Sequence, residues 1–366
     1  MHQSDLYKIA INNIPLLGPI SIRKIIHELG SIEAFFEEKV ETLAKIEGIG
    51  LAKFKNYNKK QILLEAEEEL KFIENNFIKI TNFLDKDYPK NLNECIDGPI
   101  SLYYKGTLPN SFHKHLSIVG TRNASSYGID FCKKLIKNLK EKNYNITIIS
   151  GLAFGIDSCS HKACLDHSIH TTAILGHGLN LIYPAAHNYL ANQIINQGCL
   201  ITEFSSNVAR LKSNFVRRNR IIAGMSDAVI IVETDIKGGS IITAELANSY
   251  NKDVFAIPGR YYDKKSSGCN NLIKKNKAIL IENLNDLEYF MDWTTSQTPI
   301  QTKLFPELSE IEQKIYDVIV SENKINIDQL CYKTQIPIHK LTSILTQMEF
   351  SGIIKSLPGK IFQVII

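Results

Sequence analysis

A chain of 366 residues, 44% hydrophobic and 22% charged, is long enough for about two or three globular domains and excludes a mainly disordered protein. Its net charge of +4 is small, so a surface for an acidic partner such as nucleic acid must be local. No apolar run approaches the roughly 20 residues of a membrane span, the first residues lack a secretory signal pattern, and the seven cysteines form no CxxC pair, which predicts a cytoplasmic protein without membrane contact.

Residues 1–75 predict a module of short amphipathic helices. Two apolar hairpins with glycine, at residues 14–19 and 46–50, each precede a helix, as in a doubled helix-hairpin-helix or SAM-like unit. The backbone N–H groups of such hairpins can bind DNA phosphates. A purely structural module explains the pattern equally well.

A second domain, residues 76–293, is predicted to be α/β. Residues 76–116 connect it to the helices, and short apolar runs then alternate with helix-like stretches. The runs are residues 117–119, 147–149, 172–175, 200–202, 228–232, 254–257 and 278–280. Because Val and Ile dominate them, they suit strands buried on both faces of a sheet. The alternation predicts a doubly wound Rossmann-like parallel sheet.

Glycines follow several of the predicted strands. Among them are Gly120, Gly151, Gly238 and Gly239. The carboxyl ends of parallel strands form the ligand crevice in such folds, and glycine lets the backbone approach a phosphate closely. Ser240, directly after the last two glycines, can donate its hydroxyl and its N–H to the same ligand.

Residues 205–224 contain basic residues but no acidic residue. The basic residues are Arg210, Lys212, Arg217, Arg218 and Arg220, with Phe215 among them. Guanidinium groups bind phosphate oxygens, and an aromatic ring offers a stacking surface for a base. A solvated basic helix face is the alternative interpretation. The position of the segment among the crevice glycines favours a ligand-binding role. A second basic run, at residues 264–277, either extends this surface or is solvated.

The last part of the chain predicts a linker and a small domain. Residues 294–306 are polar with two prolines, which is typical of a linker. Residues 307–366 predict three helices and a two-stranded wing, the order of a winged helix-turn-helix. The net charge of this domain is close to zero, so a protein-binding module is as well supported as a DNA-binding one.

The motifs resemble, in chain order, those of the DNA-processing protein A (DprA/Smf) family. The matching segments are GTRNASSYG from Gly120, SGLAFGIDSCSHKA from Ser150, ILGHGLNLIYP from Ile174, FVRRNRIIAGMSDAVIIVE from Phe215, KGGSIITAELA from Lys237 and VFAIPG from Val254. The resemblance implies an extended Rossmann domain that binds single-stranded DNA. It also implies a homodimer that protects incoming DNA and loads the RecA recombinase onto it during natural transformation, with single-strand-binding protein as a further partner.

The resemblance also implies roles for individual residues. Arg122 would bind a phosphate, Lys212 and Phe215 would engage backbone and base, and Arg217 would continue that edge. Lys162 would add a second contact, although a solvated helix lysine explains it equally well. The family often has proline where this chain has Val216. The predicted DNA-binding residues are Gly120, Arg122, Gly151, Lys162, Lys212, Phe215, Arg217, Arg218, Gly238, Gly239 and Ser240.

The sequence also contains partial signals for two other functions. Residues 237–245, KGGSIITAE, are distantly similar to the PGGxGTxxE signature of Rossmann enzymes that hydrolyse nucleoside monophosphates, with Glu245 as the carboxylate and Arg217 as the phosphate clamp. The leading proline is absent and no acid–base pair stands out, so no enzyme activity, catalytic residue, metal or cofactor is expected. A dinucleotide sensor is weaker still, because GTRNASSYG lacks the G-x-G-x-x-G spacing.

Overall fold

The computed structural model describes residues 3–293, 308–351, 353–357 and 359–364. They fall into two compact units that divide after Trp293. The predicted linker, residues 294–306, lies outside the described residues. Within the described ranges, no helix combines the length and the apolar character that crossing a membrane requires.

The first unit begins with a layer of helices. They are α1 (Gln3–Asn12), α2 (Pro19–Leu29), α3 (Ile32–Glu37), α4 (Val40–Leu43) and α5 (Lys59–Asn75), with a 3-10 turn at Leu51–Phe54. Ser31 and Asn58 cap α3 and α5 by accepting backbone N–H bonds. Both predicted glycine hairpins lie at helix junctions: Gly18 precedes α2, and Gly50, at φ 43°, precedes the 3-10 turn.

These helices share a hydrophobic core with the sheet that follows. Phe35 and Phe36 of α3 belong to the same buried cluster as Tyr103 and Leu200, which lie in strands. The boundary near residue 75 therefore separates helices from strands, but it does not separate two cores.

The sheet of the first unit has nine strands. They are β1 (Lys79–Asn82), β2 (Ser101–Gly106), β3 (Lys114–Val119), β4 (Ile146–Ser150), β5 (His170–Ile174), β6 (Cys199–Thr202), β7 (Ala228–Ile231), β8 (Asp253–Ala256) and β9 (Ile279–Leu280). Their order is β1-β2-β6-β5-β4-β3-β7-β8-β9. Strands β3 to β9 correspond to the seven predicted apolar runs and pair in parallel, so the predicted Rossmann-like sheet is confirmed. The antiparallel strands β1 and β2 extend it within a segment interpreted only as a connection.

Helices connect the strands and cover the sheet. They are α6 (Lys90–Asn93), α7 (Ser126–Glu141), α8 (Ile156–Asp166), α9 (Asn188–Gln197), α10 (Lys212–Met225), α11 (Gly239–Ser249), α12 (Ser267–Lys274) and α13 (Leu284–Phe290). From β3 the chain runs outward through β4, β5 and β6, and it then returns to place β7 on the other side of β3. Between β3 and β7 the strand order therefore reverses, and such a switch point opens a crevice at the carboxyl ends of the strands.

The second unit is a winged helix, as predicted. Its elements are α14 (Glu310–Glu322), β10 (Ile325–Asn326), α15 (Ile327–Thr334), α16 (Ile338–Phe350), β11 (Ile354–Leu357) and β12 (Ile361–Val364). A capping box between Ser309 and Glu312 starts α14. The wing strands β11 and β12 pair antiparallel, and the short strand β10 adds to β12. Its hydrophobic core includes the fully buried side chains of Ile315, Leu330 and Leu341.

Candidate functional site

A cleft of about 650 Å³ opens at the switch point between β3 and β7. The loop after β3, the first half of α10 and the start of α11 form its walls. The cleft brings together most of the predicted site residues, namely Gly120, Arg122, Lys212, Phe215, Arg218, Gly238, Gly239 and Ser240. Gly151, Lys162 and Arg217 lie outside its lining.

The loop that carries Arg122 is held in place by backbone contacts. Thr121 donates its N–H to the carbonyl of Glu233 at 2.7 Å and accepts the N–H of Ile156 at 3.2 Å. Gly155, at φ 77°, allows this approach, because a Cβ there would lie 2.2 Å from the Thr121 carbonyl oxygen. Arg122 itself is exposed at the cleft, and within the described ranges it takes part in no ion pair. Its guanidinium is therefore available to an anionic ligand.

Glu233 is a buried residue that supports the same loop. Its carboxylate accepts the Ser125 N–H at 2.8 Å and the Ser125 hydroxyl, while Ser125 caps α7. The side chain is 1% exposed. Glu233 is not among the site residues predicted from the sequence, where its signal is an acidic residue directly after the apolar run 228–232.

Phe215 belongs to an aromatic surface on one wall of the cleft. Its ring lies 5.6 Å from the ring of Tyr183 and 6.3 Å from that of His177. Gly176 makes room for it, because a Cβ there would lie 2.8 Å from Phe215 Cδ1. The guanidinium of Arg210 lies over the Tyr183 ring, 4.4 Å from its centre. The sequence points to Arg210 only as a member of the basic segment, and neither it nor Tyr183 is among the predicted DNA-binding residues. Together these side chains offer stacking faces and a positive charge.

Arg218 lines the cleft, but its guanidinium is turned into the protein. It donates to the Gly151 carbonyl at 2.7 Å and to the Ile174 carbonyl, and it is 5% exposed. Burial lowers its pKa to about 10, so it remains charged at neutral pH. Burial also raises the pKa of Asp157, and the nearby positive charge of Arg218 acts in the opposite direction by lowering it. Arg218 thus links α10 to the ends of two strands.

This contact also explains Gly151. A Cβ at Gly151 would lie 2.3 Å from Arg218 Nη1, so the glycine accommodates an arginine of this chain. The predicted phosphate contacts of Gly151 and Arg218 stay predictions, and the structure adds a role in holding the fold together.

Arg217 and Arg220 share a buried carboxylate on the other side of α10. Glu203 Oε2 accepts Arg217 Nη2 at 2.7 Å and also accepts Arg220. Arg220 is buried, whereas half of the Arg217 side chain is exposed. Lys162 is exposed on α8. The DNA contacts predicted for Arg217 and Lys162 stay predictions, since neither side chain lines the cleft.

The start of α11 has the features of an anion site. The free N–H groups of a helix N-terminus carry partial positive charge. Gly239 faces open space, since a Cβ there would meet no atom within 4 Å. Ser240 is 8% exposed, and within the described part of the chain its Oγ has no hydrogen-bond partner. A ligand oxygen would satisfy this hydroxyl.

The two residues of the hydrolase interpretation do not meet in the cleft. Glu245 lies on α11 and pairs with Lys277 at 3.1 Å, while Arg217 pairs with Glu203. Asp157 and Asp235 are the acidic residues of the lining. Among the described residues, no group of three or more His, Cys, Asp or Glu side chains is placed to hold a metal ion.

Comparisons with known proteins agree with the motifs. Residues 79–292 match the family model for DNA recombination-mediator protein A, and residues 301–360 match the DprA winged helix domain. Protein Smf of Synechocystis sp. is 30% identical over 99% of both chains. The X-ray structure of DNA processing protein A from Streptococcus pneumoniae is 31% identical, with a TM-score of 0.65, and the match covers 79% of this chain and 98% of that one.

A second solved structure is DNA processing protein A from Helicobacter pylori, described for its single-stranded DNA binding mode. It is 27% identical with a TM-score of 0.51, and the match covers 59% of this chain and 96% of that one. The family match spans more than half of the sequence, and a 30% identical relative aligns with it from end to end. The chain therefore belongs to the DNA recombination-mediator protein A family, DprA/Smf.

Proposed function

We propose that this protein binds single-stranded DNA in the cleft at the switch point. The observation that carries the proposal is the convergence of exposed Arg122 and Lys212, the N-terminus of α11 and the Phe215 ring on one cleft. The cations and the helix N-terminus suit phosphates, and the ring suits an unpaired base. The H. pylori relative, whose structure is described for its single-stranded DNA binding mode, supports the same ligand.

This set of groups favours a single strand with little sequence preference. A base has to leave its duplex to stack on Phe215 or Tyr183, and every base has a π-face. Phosphate contacts position a strand without reading its sequence. Binding should therefore depend on charge and stacking more than on base identity.

The wider role we propose is to protect incoming DNA and to load RecA onto it during natural transformation. The family's description as a recombination mediator supports this role. We propose that the protein acts as a homodimer in the cytoplasm, with single-strand-binding protein as a further partner. A dimer would link two clefts and raise avidity without any new contact. The free state of all seven cysteines supports the compartment.

We propose binding without catalysis. The two residues that a nucleoside-monophosphate hydrolase would use, Glu245 and Arg217, are both engaged in ion pairs outside the cleft. Incubation with nucleoside monophosphates should release no free base, and measurable release would favour the hydrolase.

Affinity for oligo-dT should fall steeply as salt rises. Each phosphate contact contributes a slope of about −0.7 in a plot of log affinity against log salt. Fluorescence anisotropy at several salt concentrations measures this slope. Arg122→Ala and Lys212→Ala should each lower the affinity and make the slope shallower by about 0.7. Lys137→Ala, on α7 and paired with Glu141, is the control that should leave the slope unchanged. An affinity indifferent to salt in the parent protein would contradict the proposed site.

The homodimer and the RecA role are tested together. Light scattering at micromolar concentration should give the mass of a dimer. Added to DNA coated with single-strand-binding protein, the protein should speed the formation of RecA filaments. A monomeric mass, combined with unchanged filament formation, would overturn this part of the proposal.

A further inference from the structure

A second aromatic and basic surface lies in the loop after β8, residues 258–266. Tyr261 is 91% exposed and Tyr262 is 67% exposed, and their rings meet edge to face with centres 5.1 Å apart. Arg260 Nη1 donates to the Tyr262 hydroxyl at 3.2 Å. Because these two adjacent tyrosines are exposed to solvent and not packed in the core, their ring faces are available to a ligand.

This loop adjoins the cleft. Strand β8 pairs with β7, so their carboxyl ends lie roughly 5 Å apart along the same edge of the sheet. Lys264 Nζ lies 3.5 Å from a carboxylate oxygen of Asp235, which lines the cleft. On its other side, Tyr127 of α7 donates its hydroxyl to the Pro258 carbonyl at 2.8 Å. The loop therefore sits between α7 and the cleft wall.

The charge of the loop also suits a polyanion. This segment contains three basic residues, Arg260, Lys264 and Lys265, and one acidic residue, Asp263. Lys264 pairs with Asp235. Within the described ranges, Arg260 and Lys265 take part in no ion pair, so both are available to phosphates.

We propose that Tyr261 and Tyr262 form a second stacking subsite for single-stranded DNA. The strand runs from Phe215 past the start of α11 to the loop after β8, with Arg260 and Lys265 on its phosphates. The subsite depends on the proposed function, because it extends a strand already bound in the cleft. Alternating cations and exposed rings match a strand of splayed bases, whereas a duplex keeps its bases stacked inside.

The test compares a short and a long oligo-dT, of about 6 and about 16 nucleotides, a range that spans common site sizes. The long oligonucleotide reaches both surfaces and the short one fills the cleft alone. In Tyr261→Ala/Tyr262→Ala, affinity for the long oligonucleotide should fall by about tenfold, because stacking of one base contributes on that order. Affinity for the short one should stay unchanged.

Two control variants sharpen the comparison. Tyr261→Phe/Tyr262→Phe keeps both rings and should bind both lengths as the parent does. Tyr289→Ala removes an exposed tyrosine that also meets a neighbouring ring edge to face, at Phe290. It lies on α13, and Trp293 just beyond that helix contacts Lys114 at the start of β3, on the opposite edge of the sheet. This variant should bind like the parent.

The outcomes separate the subsite from the cleft. If the double alanine variant binds the long oligonucleotide like the parent, the subsite is overturned and the cleft stands. If it binds DNA normally but its mass in solution changes, the tyrosines serve a protein contact and the subsite is again overturned. If the parent binds neither oligonucleotide, the proposed function fails, and the subsite fails with it.

Discussion

Arg218→Met should lower the free energy of unfolding by about 3–5 kcal/mol, the usual cost of removing one partner from a buried charged network. Methionine fills a similar volume but donates no hydrogen bond. The carbonyls of Gly151 and Ile174 would lose their donor, and the buried Asp157 carboxyl would lose its nearby cation. Urea unfolding followed by circular dichroism measures the change. A protein of ordinary stability stays folded after such a loss.

Two further variants identify the source of this loss. Arg217→Met removes an arginine that is half exposed, so the change should cost about 1 kcal/mol or less. Adding Asp157→Asn to Arg218→Met removes the unpaired carboxylate and should restore part of the stability. If Arg218→Met unfolds like the parent but loses DNA affinity, Arg218 is a ligand residue with no structural role.

The strands of the parallel sheet could be predicted because burial on both faces leaves a strong sequence signal. Runs such as residues 228–232 contain only apolar residues, and the structure places β7 there. Strand β1 has the sequence KITN, its first two residues are not fully buried, and it is only four residues long. A short strand at the edge of a sheet carries no continuous apolar run, so the sequence does not predict β1. Strand β2 lies inside the sheet, but its sequence SLYYKG has only three consecutive apolar residues, so it resembles part of a connecting segment.

For the basic run on α10, the sequence does not predict which partner each arginine side chain contacts. Adjacent arginines point in different directions around a helix, because successive residues are rotated by about 100°. Phe215 lines the cleft and Arg218 turns its guanidinium inward to two backbone carbonyls, while Arg217 and Arg220 face Glu203. Sequence alone cannot reveal the partners, which come from other strands and loops of the fold. The same holds for Tyr183, which reaches Phe215 from a distant loop.

The glycines illustrate the same limit. Their position after the strands predicts close approach of a phosphate, and Gly239 does face open space in the cleft. Gly151 and Gly176 instead make room for Arg218 and Phe215 of this chain. A glycine after a strand therefore predicts a close contact, but the sequence does not say whether the contact is a ligand or a side chain.

Phe215→Ala should weaken binding of single-stranded DNA by about 1–3 kcal/mol, the range found for loss of base stacking on one aromatic ring. The ring forms one wall of the cleft beside Tyr183 and within reach of the strand that Arg122 and Lys212 would hold. Anisotropy titrations with labelled oligo-dT at fixed salt measure the change. At the upper end of the range the dissociation constant rises more than a hundredfold.

Phe215→Leu distinguishes stacking from packing. Leucine fills much of the space beside Gly176 but has no π-face, so this variant should lose affinity nearly as the alanine variant does, with a smaller loss of stability. Phe112→Ala removes a phenylalanine that is 92% exposed just before β3, at the edge of the sheet opposite the cleft, and should bind DNA like the parent. Parent-like affinity in Phe215→Leu would show that the ring supports the cleft without stacking on a base.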